Sequence, residues 1–272
     1  MTPQLDGLRL KLRRAWNQLK EIETELRAFV KSNFYEPRIE FDAQSQVLTI
    51  KVHIKKPPDP TWGVKIGEII HNLRSTLDYS IWELYILNNR CAPVAKQNQF
   101  PVFETEAGFN GRGVRKFLNG IAPEAVALIK SEQPFPQKNG GTGEGIKSPL
   151  WHLKELSDAD KHRTIHLTAT LIEQFDFRFP PLKQTVKVRR EIRNNLGPIN
   201  EDTILARAYF SGCTDWPFTE TEVNSELRTD IAFDQRTPAV GGWLVFGTLV
   251  DIANRTERIL RRIAEEIFKT EL

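Results

Sequence analysis

Two polar clusters in this sequence contain residue types that do chemistry near neutral pH. The first is His71-Asn72-Leu73-Arg74-Ser75-Thr76-Leu77-Asp78-Tyr79, and the second is Asp160-Lys161-His162-Arg163. Histidine transfers protons in this range, and arginine forks onto phosphate or carboxylate oxygens. Read as catalytic groups, His71, Arg74, Asp78, His162 and Arg163 would grip and cleave a phosphodiester. Asn72, Tyr79, Asp160 and Lys161 would then bind the substrate. The same residues can instead satisfy one another as a buried ion-pair network, an Asp paired with an Arg or His from another helix. The sequence leaves both readings open. Each requires that two clusters far apart in the chain meet in space.

The first cluster belongs to a helix expected over 62–89. Ile66, Ile69, Ile70, Leu73, Leu77, Ile81 and Leu84 form its apolar stripe. At 3.6 residues per turn, His71, Asp78 and Trp82 fall almost on one line away from that stripe, with Arg74 between the two. An earlier helix, expected over 2–31, carries Leu5, Leu8, Leu12, Ala15, Leu19, Ile22, Leu26 and Phe29 at alternating three- and four-residue spacing. Such a seam needs a partner helix, either inside the chain or in a second subunit, so a homodimer through heptad-bearing helices is one expectation. A third long helix is expected over 242–269, with Arg255, Arg258, Arg261 and Arg262 on its outer faces.

Between the helices the pattern switches to period two. Residues 38–42 and 48–54 read as a hairpin turning at 43–46, and Lys55-Lys56-Pro57-Pro58-Asp59-Pro60 ends it, with Thr61 as the N-cap of the next helix. Gln99 to Phe103 reads as extended, and 107–119 and 123–132 as short helices. Ser148-Pro149 is a helix start, a cap followed by proline at the first helical position. The run 164–171 alternates and is β-branched, which favours a strand over a continued helix. Further strands are expected at 184–192, 203–210 and 227–233. The fold class is therefore α+β: a helical bundle of three or four long helices with an N-terminal β-hairpin and an antiparallel C-terminal sheet. It is read as one domain over 1–272, with 184–234 as a β subdomain.

Composition narrows the function classes. The chain has 272 residues, of which 40% are hydrophobic and 27% charged, values of an ordinary globular protein. Empirical scaling buries nearly three quarters of its unfolded surface, enough for a core without disulfides or a structural metal. A net charge of +3 is too small to imply a nucleic-acid or membrane partner by itself. The longest apolar stretch, Trp243 to Val250, is far short of the roughly 20 residues that span a bilayer. With no apolar run at the start, and Cys91 and Cys213 fitting no framework, a cytoplasmic protein without a membrane partner is expected. The glycine run 138–145 lacks a preceding strand and a closing Gly-Lys-Ser/Thr, so it reads as a plain loop, and no cofactor is expected. Lys183, Lys187, Arg189, Arg190 and Arg193 read as a solvated strand face, with Phe175, Phe177 and Phe179 nearby. His53 and His152 read as surface residues of a strand and a helix.

The stretch Ile66 to Tyr79, with its HNxRSxLD motif, and Leu153 to Arg163, with its DKHR motif, resemble a family of uncharacterised bacterial proteins over most of the chain. That resemblance implies no activity. The helix also resembles the HEPN superfamily, helical bundles that include RNases of toxin and defence systems. Their signature is Arg, four to six residues, then His. Here Arg74 leads to Tyr79, with Ser75 after the Arg and His71 one turn before it. This resemblance implies RNA as the partner, and metal-free RNA binding or cleavage at the His/Arg/Asp pocket. A third similarity is to DinB-like metal-binding bundles, which would assign His71, His162 and His166 to one metal. That works if 162–166 is helical, whereas on a strand the two later histidines stand about 13 Å apart.

Overall fold

The computed structural model describes residues 5–93, 99–111, 114, 117–136, 140–171, 176–178, 187–192, 197–211, 224–226 and 228–272. Its class is mixed α+β with antiparallel sheets. Helix α1 (Asp6–Lys31) follows its heptad pattern: Leu8, Leu12, Ala15, Leu19, Ile22, Leu26 and Phe29 are all buried. They pack against α2 (Thr61–Asn89) and α6 (Val245–Arg262) of the same chain. The seam is therefore closed internally. Of the two partners expected for the seam, a helix of the same chain is the one the structure shows, so the seam itself gives no argument for a homodimer.

The start of α2 differs in detail from the sequence reading. Thr61 is the first helical residue, not the cap. The Asp59 carboxylate accepts from both its N–H (2.8 Å) and its hydroxyl (2.7 Å). An Asp two residues ahead of a free N–H makes this turn readily.

Strands β1 (Tyr35–Asp42) and β2 (Val47–Ile54) pair antiparallel, with Ile39 opposite Ile50. Leu48, Ile50 and Val52 point into the core. The other edge of β2 takes β7 (Ile204–Ser211), and β7 in turn takes β5 (Lys187–Ile192), giving the order β1-β2-β7-β5. A second sheet joins β6 (Gly197–Pro198), β3 (Leu167–Leu171) and β9 (Thr229–Phe233), and β4 (Asp176–Arg178) pairs with β8 (Asn224–Glu226). The expected C-terminal sheet over 184–234 is thus corrected: its strands are divided between sheets, and two of them extend the N-terminal hairpin. Alternation in a strand fixes which face is buried, not which edge it joins.

The remaining elements are short. Glu106–Phe109 forms the single turn α3, capped by Thr105 Oγ1, which accepts from the Gly108 N–H at 3.2 Å. Helix α4 spans Pro123–Ser131 and α5 spans Pro149–Asp160. Ser148 occupies the N-cap position of α5, but its buried hydroxyl makes no capping bond. The chain leaves helical geometry after Asp160, and 167–171 is a strand, not a continuation of the helix. Helix α6 runs on into a π-helical turn over Ile263–Phe268. Among the described residues no helix is long and apolar enough to cross a membrane.

Two side chains expected on the surface lie inside. His152 is buried, its Nε2 is 2.9 Å from the Ile146 carbonyl, and its ring packs edge-on against Trp243. Burial holds its pKa below the ordinary histidine value, despite opposing pulls from the Ile146 carbonyl, Asp251 and Glu144. Arg255, expected outside, is buried on α6 against Glu132. Its position, next to Ile252, Thr256 and Ile259, is at the margin of the apolar stripe, where a long side chain can turn inward if a carboxylate waits there. Phe175, Phe179, Lys183, Arg193 and Cys213 lie outside the described residues. Lys187, Arg189 and Arg190 are exposed, with Arg189 over the Tyr209 ring and Arg190 over that of Phe177.

Candidate functional site

Gly63 and Gly67, one turn apart on α2, let the end of α5 come against the helix. A Cβ at Gly67 would sit 2.3 Å from Asp160 Oδ1, and one at Gly63 would sit 2.1 Å from the Ile165 carbonyl oxygen. Bare backbone at these two positions therefore brings the two polar clusters together. Continuing along the same face, His71, Arg74, Ser75 and Asp78 form one wall of a cleft of about 440 Å³. Trp151, Lys154, Ser157, Asp158 and Lys161 of α5 form the opposite wall. The extended segment 99–104 and Phe117 close the end.

Arg74 and Asp78 are one helical turn apart, with Arg74 Nη2 3.1 Å from Asp78 Oδ1. Both act on a single residue of the 99–104 segment. Arg74 Nη2 donates to the Phe100 carbonyl at 2.7 Å, and the Phe100 N–H donates to Asp78 Oδ1 at 2.8 Å. The Phe100 ring is fully buried below. This pair therefore clamps the segment to α2 through its backbone. Burial raises the Asp78 pKa above the usual carboxylate value, outweighing Arg74, the Phe100 N–H and Lys161, which favour the charged form. Arg74 Nη1 is buried and has no hydrogen-bond partner among the described residues.

The opposite wall is more open. Lys154 pairs with Glu155 (2.6 Å) and Asp158 (3.4 Å), and its ammonium sits 4.6 Å from the Trp151 ring centroid. Burial pulls the Lys154 pKa down, but Glu155 and Asp158 prevail and hold it above the ordinary lysine value. Asp158 also pairs with Lys161 at 3.1 Å. Among the described residues the cleft thus carries three cations (Arg74, Lys154, Lys161) against three carboxylates (Asp78, Glu104, Asp158), a balanced set.

A second, shallower cleft of about 590 Å³ meets the first at His71 and includes Arg14, Gln18, Glu68, Asn72, Asp160 and Arg163. Asn72 Nδ2 donates to Gln18 Oε1 (2.8 Å), and Gln18 Nε2 donates to Glu68 Oε2 (3.1 Å), which ties α2 to α1. Burial raises the Asp160 pKa, opposed by the neighbouring His71.

Of the residues expected from sequence, His71, Arg74, Asp78 and Lys161 converge in the first cleft, and His71, Asn72, Asp160 and Arg163 in the second. Two do not join them. Tyr79 faces α1, where a Cβ on Gly7 would meet its ring at 2.6 Å, and it hydrogen-bonds Glu83. Its position on the helix, one residue past Asp78, turns it about 100° away from the cleft. His162 is exposed in the turn after α5 and lines neither cleft, because the helix that would have aimed it has ended. The same turn removes the helical pairing of His162 with His166, and no group of three metal-ligating side chains occurs among the described residues. The sequence reading missed Trp151, Lys154, Phe103 and Phe117. For the first two a signal existed: Trp151, Lys154, Asp158 and Lys161 recur at three- and four-residue spacing on one face of α5. No protein family, curated protein or solved structure matches this chain.

Proposed function

We propose that the protein is a binding module whose α2–α5 cleft takes a small, planar, polar molecule, with Arg74 and Asp78 shaping the cleft rather than reacting. The observation that carries this reading is the orphan Arg74 Nη1. Arg74 Nη2 and Asp78 Oδ1 are committed to Phe100, yet this cleft-lining guanidinium keeps a buried donor, Nη1, without a partner among the described residues. An unmet buried donor costs about 1–3 kcal/mol, and an acceptor oxygen brought by a ligand removes that cost. Phe103, Phe117 and Trp151 offer ring faces and edges for a planar group. The volume lies in the range of roughly 300–1,000 Å³ of small-molecule sites. The balanced fixed charge favours a neutral or zwitterionic occupant over a polyanion. Nucleosides and aromatic amino acids are the probes that test it. One of them should raise the melting temperature saturably, and the rise should disappear in Trp151→Ala. A rise of equal size in Trp151→Ala would overturn the reading.

RNA binding, with His71 moving a proton if cleavage follows, is a second reading. It is favoured by the meeting of the two clefts at His71 and by Arg163, which makes no ion pair with a described residue. It expects a single-stranded oligoribonucleotide to bind with steep salt dependence and to lose affinity in Arg163→Ala. An RNA affinity that salt and this substitution leave unchanged would exclude it.

A further inference from the structure

Beyond α5 a third concavity of about 200 Å³ lies between the 161–166 turn and the loop after β9. Its lining includes Arg163, Thr164, His166, Asp234, Arg236 and Thr237. We propose that it is a binding site for a single tetrahedral oxyanion, a phosphate ion or the phosphoryl group of a small monoester. This site is separate from the α2–α5 cleft and does not rest on the ligand assigned there.

Charge distinguishes this concavity from the other two. The first cleft sets three cations against three carboxylates, and the second sets Arg14 and Arg163 against Glu68 and Asp160. Here Arg236 and Arg163, which also borders the second cleft, face one carboxylate, Asp234, among the described residues. Asp234 is itself fully engaged. Its Oδ1 accepts from the Arg236 N–H (2.9 Å) and Nε (2.7 Å), and its Oδ2 accepts from Arg236 Nη2 (3.2 Å). Arg236 is thereby held in place while its remaining guanidinium N–H groups stay available. Arg163 makes no ion pair, and the Thr164 and Thr237 hydroxyls make no hydrogen bond, with any described residue. The site therefore presents an excess of donors and positive charge, the requirement for an oxyanion.

Its walls are fixed. The Ile165 carbonyl rests against Gly63, and the Ile165 side chain is buried. The Asp234 N–H donates to the His166 carbonyl at 2.9 Å, and the Thr237 N–H donates to the Asp234 carbonyl at 2.8 Å. Backbone ordered before binding adds no ordering cost afterwards. The volume is below that of sites for drug-sized molecules and suits one compact anion.

Isothermal titration of the full chain with inorganic phosphate, and separately with glycerol phosphate, at ionic strength matched by chloride, tests the assignment. Wild type should bind at least one of the two saturably with one strong site. Preference for inorganic phosphate identifies the free ion as the occupant, and preference for glycerol phosphate identifies a monoester. Exposed Arg163 can be removed without disturbing the core, so Arg163→Ala should weaken binding about tenfold or more, and Arg163→Lys should restore part of it. Lys161→Ala, in the neighbouring cleft, should leave the affinity unchanged and so separates this site from the proposed ligand cleft. A heat that chloride reproduces, or an affinity unaffected by Arg163→Ala, would overturn the proposal.

Discussion

Arg255–Glu132 and Arg74–Asp78 are the same kind of pair, a guanidinium on a carboxylate, in two different surroundings. In the first, both side chains are only 4% exposed, and Arg255 Nη2 sits 3.0 Å from Glu132 Oε2 and 3.1 Å from the Glu132 carbonyl oxygen. Arg262 takes the other oxygen of Glu132 and also reaches Ser131 Oγ at 3.1 Å, so the end of α4 is bound to α6 from two sides. In the second, Arg74 is 16% and Asp78 27% exposed, and the pair borders a cleft. The buried knot joins elements and lines none of the three clefts described above, yet Arg255 Nε and Nη1 also lack hydrogen-bond partners among the described residues. The half-buried clamp joins elements and also borders a cleft. Ion-pair chemistry alone therefore does not mark a site; access to solvent does.

The largest expected effect breaks the buried side of this comparison. Glu132→Ala removes the near carboxylate of buried Arg255, leaving only Glu144 at 3.9 Å, and should lower stability by about 3–5 kcal/mol in chemical denaturation. Replacing the pair together, Glu132→Leu with Arg255→Met, should recover most of that loss, because the desolvation of both charges disappears with them. A loss below about 1 kcal/mol in Glu132→Ala would mean that water reaches Arg255 and that the two regions differ less than their burial indicates.

Asp78→Ala should have a smaller effect on stability and a larger one on binding. It strands the Phe100 N–H and removes the partner of Arg74, for a loss of about 1–3 kcal/mol. It also frees the 99–104 wall, so hydrogen exchange at the Phe100 amide should accelerate and ligand affinity in the cleft should fall. Unchanged exchange at Phe100 would show that ring burial, not the carboxylate, holds the segment.

What the sequence revealed follows from which interactions are local. The apolar period of α1 and α2 and the alternation of β2 made the α+β class readable, since burial follows spacing on one element. Partners across the chain left no such trace. Nothing near Arg255 announces Glu132, and nothing in β2 announces β7. The candidate site was half legible for the same reason. His71, Arg74 and Asp78 stood out as charges beside a core stripe, and Lys161 as part of a dense cluster. Trp151 and Lys154 are ordinary surface types on an amphipathic helix, and become significant only because Gly63 and Gly67 let the end of α5 come against α2. That glycine spacing, continued four residues later by His71, was present in the sequence and unread. Gly67→Ala tests it. The new Cβ must push Asp160 aside, and because that side chain is at the helix end and can swing, the loss should be only about 1 kcal/mol. Asp160→Ala in the same chain should cancel it; a persistent loss would place the strain in the backbone.

The smallest expected effect measures how far burial governs the clamp. Burial raises the Asp78 pKa in the folded chain above its unfolded value, near 3.9 for a free aspartate. Between those two values the folded state holds a proton that the unfolded state has lost. The stability from neutral Asp78 is therefore complete below about pH 3.9, declines as pH rises through the folded pKa, and is level above it. Asp78→Asn does not titrate there. The stability of wild type minus that of Asp78→Asn should accordingly fall with rising pH across that window and then stay flat. A difference that rises instead would show that the attraction of Arg74 outweighs desolvation, as expected of a pair sealed from solvent with all its donors matched. The sign of that slope thus tells whether the Arg74–Asp78 clamp is a closed structural lock or retains unmet polarity beside the cleft.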